Sequence, residues 1–190
     1  MSALHSLNID VRLNRIPHEF HDLTPFDEDR QHADDDKDAV ERFRSLLVEA
    51  DCVFKVFMGT LYWKCSPVQF FWGFDLAVSR FSGRAAPDQP TADRVTREAY
   101  SHEVISCGFW PGDRRFEHAA FYSYTAPDPL ANESIRPAAA GWDVQVGEFV
   151  CKYDNARGLE SPEEGLDFCQ STYEAGAKLA GWDRSTRERR

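Results

Sequence analysis

The sequence has 190 residues, 42% of them apolar and 13% aromatic, and carries 22 basic against 32 acidic side chains for a formal net charge of −10. A chain of this length buries roughly 70% of its unfolded surface, so the composition excludes global disorder and leaves no need for covalent or metal staples. The negative field repels phosphate backbones, which argues against a nucleic-acid partner.

Five cysteines, Cys52, Cys65, Cys107, Cys151 and Cys169, form no C-x-x-C pair, and three of them sit inside apolar runs. That pattern reads as free thiols in a reducing cytoplasm. The opening MSALHSLNIDVRLN lacks the charged-then-apolar build of a signal peptide. Nor does any apolar run reach the roughly 20 residues of a membrane span. The expectation is a cytoplasmic protein with no membrane partner. It forms one domain over residues 1–183, followed by a basic tail, 184–190, without fixed structure.

In chain order, LNIDVRLN (7–14) alternates apolar and polar residues and predicts a strand with Leu7, Ile9, Val11 and Leu13 on one face. Residues 17–36 form a connection with an acidic cluster, Asp27, Glu28, Asp29, Asp34, Asp35 and Asp36. Its spacing lacks the EF-hand glycine, so no metal is assigned, and the last three aspartates are read as capping the next helix. That helix is predicted from Asp38 to Met58. Val40, Phe43, Leu46, Leu47, Ala50, Val53, Phe54 and Phe57 recur at three- and four-residue steps, and Gly59 stops it.

The stretch KCSPVQFFWGFDLAVSRFSGR (64–84) holds five aromatic rings beside Asp75 and Arg80. It predicts one long strand over 68–82, with Phe70, Trp72, Phe74, Leu76 and Val78 on one face and Gln69, Phe71, Asp75, Ala77, Ser79 and Phe81 on the other. Residues 84–98 read as a loop with at most one helical turn. Strands follow at 102–110 and 118–126, joined through PGDRR, and a weaker strand pair spans 142–153 with Gly147 at the corner. The final helix runs from Pro162 to Ala180, with Ser161 as its cap and Glu163 and Glu164 matching its dipole. Strands joined by short loops pair antiparallel. The fold class is therefore α+β: an antiparallel sheet of about five to six strands with two long helices packed on one face.

The segments KCSPVQFFWGFDLAVSRFSGR, VTREAYSHEVISCGFWPG and AFYSYTAPDP, with PFDEDR near residue 25 and QSTYEA near residue 170, resemble the bacterial proteins that contain the domain of unknown function 5996. The resemblance spans about 160 of the residues. It implies longer relatives, of which this chain resembles the later half, and it implies no activity. Two departures stand out. Gln69 occupies a position where the family usually has histidine, and no serine intervenes between Gly73 and Phe74. Inside a strand, a one-residue loss swaps every following side chain to the opposite face unless a bulge absorbs it.

The sharpest catalytic constellation is Asp75, Arg80, His102 and Glu103: a histidine poised near neutral pH, carboxylates to orient it, and an arginine to pair with them. Its structural alternative is an ion pair plus a histidine at a strand start. HEFH, with His18 and His21, lacks a third ligand nearby and His32 reads as solvated, so no metal is assigned. Ser82-Gly83-Arg84 offers backbone donors to an anion but reads first as a turn. No P-loop, G-x-S-x-G or G-x-G-x-x-G occurs, and no cofactor is assigned.

Gln69, Phe71, Trp72, Trp110, Tyr122 and Tyr124 mix rings with polar groups on neighbouring strands, as the wall of a ligand site does. The leading functional expectation is a small-molecule-binding protein with an aromatic-lined pocket. Its enzymatic form is a cofactor-independent lyase, cyclase or isomerase using acid–base groups. The alternative is a non-catalytic interaction module that forms a homodimer or docks a partner.

Overall fold

The computed structural model of the protein describes residues 2–12, 14–17, 22–31, 36–71, 73–113, 116–127, 133–153, 163–185 and 188. The chain divides into two compact units, Met1–Val40 and Glu41–Arg190. In the first unit, α1 (Ser2–Ser6) is followed by a left-handed turn at Asn8, φ 56°. The Ile9 amide donates to the Leu4 carbonyl and the Asn8 amide to that of His5, each at 3.0 Å. This is the Schellman termination with asparagine in the glycine position.

The strand expected over 7–14 is therefore not formed among the described residues. Leu7 lies in the closing turn of α1, and Ile9 and Val11 follow it in irregular backbone; all three are exposed. Alternation specifies a strand only where a neighbouring strand takes up its backbone groups. His18, His21, His32, Asp34 and Asp35 lie outside the described residues.

Helix α2 (Lys37–Gly59) matches its expected span closely. The Asp36 carboxylate caps it, accepting from the amides of Asp38 and Ala39 at 3.0 Å each. Ala50, Val53, Phe54 and Phe57 are buried; Phe43, Leu46 and Leu47 are partly so, and Val40 is exposed. The apolar stripe thus engages the core mainly through the helix's second half.

The sheet has six antiparallel strands: β1 (Gln69–Phe70), β2 (Leu76–Ala85), β3 (His102–Trp110), β4 (Ala120–Ala126), β5 (Gly141–Asp143) and β6 (Glu148–Lys152), in the order β1-β2-β3-β4-β6-β5. A short helix, α3 (Arg94–Ala99), capped by Asp93, joins β2 to β3. The last helix, α4 (Glu163–Leu179), follows the sheet. The expected α+β class is the observed one.

The single strand expected over 68–82 is instead a hairpin. Phe71 N–H donates to the Asp75 carbonyl at 2.8 Å, Phe74 takes φ 62°, and Gln69 and Phe70 pair back onto Ala77 and Leu76. Phe70 and Phe74, expected on one strand face with Val78, are 55% and 60% exposed where Val78 is fully buried. The turn also disposes of the register problem. The Gly73–Phe74 departure falls in a loop, where one residue more or less alters the turn and leaves the strand faces in place.

Along β2, Val78 and Arg80 face the helices, with Ile105, Cys107, Phe109, Phe121, Phe149 and Cys151 on neighbouring strands, and together with α2 and α4 they form the main core. A Cβ at Gly176 of α4 would lie 2.6 Å from Thr125 Oγ1 and 2.9 Å from Ile105 Cδ1. That glycine lets α4 lie directly on the sheet.

Arg80 has no exposed surface. Its guanidinium carbon sits 3.4 Å from the Phe57 ring centroid and 4.2 Å from that of Tyr173. One terminal nitrogen donates to the Phe57 carbonyl and, at 2.8 Å, to Thr60 Oγ1. Among the described residues no carboxylate pairs with it, and Nε and the other terminal nitrogen make no hydrogen bond. Burial lowers its pKa, with Tyr173 and the thiols of Cys107, Cys65 and Cys169 acting the other way.

Removing this side chain opens a cavity and takes away one donor to the Phe57 carbonyl, which also accepts from the Thr60 amide and hydroxyl. Arg80→Ala is expected to cost about 3–5 kcal/mol in urea unfolding, and Arg80→Met, which refills the volume without a buried charge, clearly less. Equal losses would mean that the charge, not the packing, is what matters.

Candidate functional site

The four residues of the expected catalytic constellation are not brought together. Arg80 lies in the helix-side core, whereas Asp75 precedes β2 and turns to the opposite, open face, where it meets Tyr122. His102 pairs with Ala85 at the far end of the β2–β3 ladder, whose near end pairs Leu76 with Phe109. At about 3.3 Å per residue, some 25 Å separates His102 from Asp75. The exposed imidazole shares a 3.1 Å hydrogen bond with the Ser101 hydroxyl.

Glu103 is engaged separately. It accepts from Arg84 at 2.7 Å and from the Trp182 indole at 2.9 Å. Burial opposes its charge, yet the bonds from Arg84, Ser82 and Trp182 prevail and hold its carboxyl below the ordinary value of 4.5. The Ser82-Gly83-Arg84 segment is not a free turn: it continues β2 through an irregular register, and Arg84 also donates to the Ala180 carbonyl at 2.5 Å. Arg184, in the expected tail, bonds Glu188 at 2.5 Å and Glu174 at 3.2 Å.

A depressed folded-state pKa stabilises above the unfolded value and is lost as pH falls through the folded one. Glu103→Gln should therefore show a smaller fall in unfolding free energy than wild type between about pH 7 and about pH 3. An identical fall would exclude Glu103 as a contributor.

The open face carries a row of phenols. Tyr122 O–H donates to Asp75 Oδ2 at 2.6 Å. It reaches that far because its cross-strand partner is Gly108, where a Cβ would lie 2.1 Å from the ring. Tyr122 and Tyr124 lie parallel with centroids 6.4 Å apart, and Tyr100 meets Tyr124 at 6.0 Å. Trp110 stacks on Phe116 at 6.0 Å and meets Tyr122 edge-on at 6.3 Å. Burial first, then the charge and bond of Asp75, push the Tyr122 phenol far up; burial and Tyr100 push Tyr124 up. Both stay neutral donors near neutral pH.

Tyr122→Phe should cost about 1.5–3 kcal/mol, the range for a bond to a charged acceptor. Asp75→Asn combined with it should lose much less than the sum of the single variants. Additive losses in chemical denaturation would contradict the bond.

Next to these phenols the sheet splits. The β4–β6 ladder runs from Ala120–Lys152 to Ser123–Phe149 and stops, while the β5–β6 hairpin turns at Gly147, φ 79°. Tyr124–Ala126 therefore have only β3 as a partner among the described residues. In the gap lies an open cleft of about 310 Å³, at the small end of ligand sites, which run from about 300 to 1,000 Å³. Its rings come from Tyr100, Tyr124, Trp142 and Phe149, and its polar groups include Gln89, Thr96 and Glu148.

Of the expected ligand-binding residues, Tyr124 lines the cleft and Tyr122 stacks beside it. Trp110 lies beyond Tyr122. Gln69 and Phe71 are exposed at the opposite, β1 edge of the sheet, and Trp72 lies outside the described residues. Tyr100, Trp142 and Glu148 were not singled out from the sequence. The available signal was local: Trp142 and Glu148 flank the corner at Gly147, and Tyr100 closes a segment read only as a loop.

Among the described residues no three His, Cys, Asp or Glu side chains gather as a metal site would require, and no helix is long and apolar enough to cross a membrane. A family model described as a family of unknown function (DUF5996) matches residues 1–189, and the chain belongs to that family. The match takes in the N-terminal residues that the sequence motifs did not reach. No curated protein and no solved structure matches the chain.

Proposed function

We propose that this DUF5996 protein binds a small organic molecule in the cleft between α3, the end of β4 and the β5–β6 hairpin. One observation carries the reading: where the β4–β6 ladder stops, four aromatic rings and a few convergent polar groups line a hollow of about 310 Å³. Two segments on which the family resemblance rests, VTREAY and FYSYTAP, supply much of its wall. In an enzymatic form of the lyase, cyclase or isomerase type, Glu148 is the carboxylate that the described residues bring to that wall, and the Tyr100 and Tyr124 phenols are hydrogen-bond donors. A cytoplasmic setting accords with five free cysteines.

A second reading is favoured at the other edge of the sheet. Tyr62, Trp63, Phe70, Phe71 and Phe74 are all exposed there, more aromatic surface than a monomer ordinarily leaves in water. Self-association through this edge is the interaction-module form of the protein, and light scattering at high concentration tests it. A dimer is expected under that reading, and a clean monomer contradicts it.

For the cleft, native mass spectrometry of freshly purified protein should show a retained small molecule. Tyr124→Ala and Trp142→Ala should each weaken its retention about tenfold, as expected for the loss of roughly 1.5 kcal/mol of ring contact. Val56→Ser, on the exposed side of α2, should not change it. Retention that is insensitive to both ring variants would remove the cleft from the function.

A further inference from the structure

Resting on the cleft reading, we infer that the ligand is a flat aromatic compound, recognised by ring-to-ring contact. Three separate elements bring rings to the cleft. Tyr100 closes α3, Tyr124 comes from β4, and Trp142 and Phe149 come from the two strands of the β5–β6 hairpin. Ala126 and Pro127 stand beside them.

These rings are braced by contacts of their own. Tyr124 lies parallel to Tyr122 at 6.4 Å, and Tyr122 is tied to the Asp75 carboxylate at 2.6 Å. Tyr100 meets Tyr124 at an angle of 58°. Trp142 meets Phe149 edge to face, with centroids 5.3 Å apart and planes at 82°, and Phe149 itself is buried. Tyr100, Tyr124 and Trp142 are each only half-buried, so part of every one of these rings stays open to an occupant of the cleft.

An aromatic ring has a negative face and a positive edge, and it attracts another ring in offset-stacked or edge-to-face geometry. The two tilted pairs, Tyr100 with Tyr124 and Trp142 with Phe149, present rings in differing planes. A flat ring entered among them finds both kinds of partner. A wall already held in place also loses little side-chain freedom when a ligand binds. A puckered, saturated ring of the same skeleton gains the burial but not the ring-to-ring attraction.

Benzyl alcohol and cyclohexylmethanol test the inference on the full chain, each titrated by NMR chemical shifts and by tryptophan fluorescence. They share one carbon skeleton and one hydroxyl; the first is flat and aromatic, the second puckered and saturated. Burial of apolar surface alone gives the saturated probe no disadvantage. Benzyl alcohol should nevertheless bind about three- to tenfold tighter, the worth of aromatic pairing beyond buried area. Trp142→Leu, which keeps an apolar side chain and removes the ring, should bring the affinity ratio towards one. Should that variant melt early, Tyr100→Leu, at the end of α3, serves in its place.

If cyclohexylmethanol binds as tightly as benzyl alcohol, or the ratio survives the loss of the ring, the aromatic inference falls while the cleft stands as a ligand site. If neither probe binds but native mass spectrometry shows a retained molecule, the proton spectrum of that molecule after release decides: aromatic resonances support the inference and their absence overturns it. If neither probe binds and nothing is retained, the cleft reading fails and takes this inference with it.

Discussion

A positive charge sealed in the core, with no carboxylate bonded to it among the described residues, organises this fold. Arg80 joins three elements at one point: its own strand β2, the end of α2 through the Phe57 carbonyl and Thr60, and α4 through the Tyr173 ring. Helix ends leave carbonyls without intrahelical partners, and Arg80 joins the Thr60 amide and hydroxyl as a donor to that of Phe57. Arginine suits the position because its flat, weakly hydrated cation stacks between two rings while its edge donates. Lysine offers neither the plane nor the fork. With this cluster in place the described residues fill the helix side of the sheet, and the cleft opens where the β4–β6 ladder stops.

That other side is built on different terms. Gly108 clears a path across β3, Tyr122 fills it, and Asp75 receives its hydroxyl. The hairpin that turns Asp75 toward Tyr122 also leaves Phe70 and Phe74 in contact with one another, edge to face at 6.1 Å, at the rim of the sheet. Beyond Tyr124 the sheet divides. An unpaired strand segment is a liability that proteins ordinarily cover; here a cleft borders it, with α3 on one side and the β5–β6 hairpin on the other. The site is thus a consequence of pairing that stops short.

Local rules made much of this legible in the sequence. The three- and four-residue steps in α2, the aspartate before it and the apolar runs of β3 and β4 all fixed their elements within a few residues. The failures share one cause, which is that strand partners are not written in a single chain. LNIDVRLN alternates like a strand but ends a helix, because Asn8 closes a cap before any neighbour is offered. Residues 68–82 have strand composition throughout, yet Gly73-Phe74-Asp75 turn back on themselves. Asp75 and Arg80, five positions apart, then fall on opposite faces, and the ladder carries His102 to the far end. The cleft was less legible still. Its walls come from segments around residues 89, 96–100, 123–127, 142 and 147–149, and only the register of β4 on β6 brings them together.

The buried guanidinium is directly observable by nitrogen-15 NMR. Enclosed between Phe57 and Tyr173, the Arg80 Nε–H should resonate well upfield of exposed arginines through the ring currents of both neighbours. It should also exchange slowly with water, and Arg80→Lys should abolish it. An Arg80 Nε–H at the shift of a solvated arginine, exchanging as fast as one on the surface, would contradict the clamp and the two-faced sheet that depends on it.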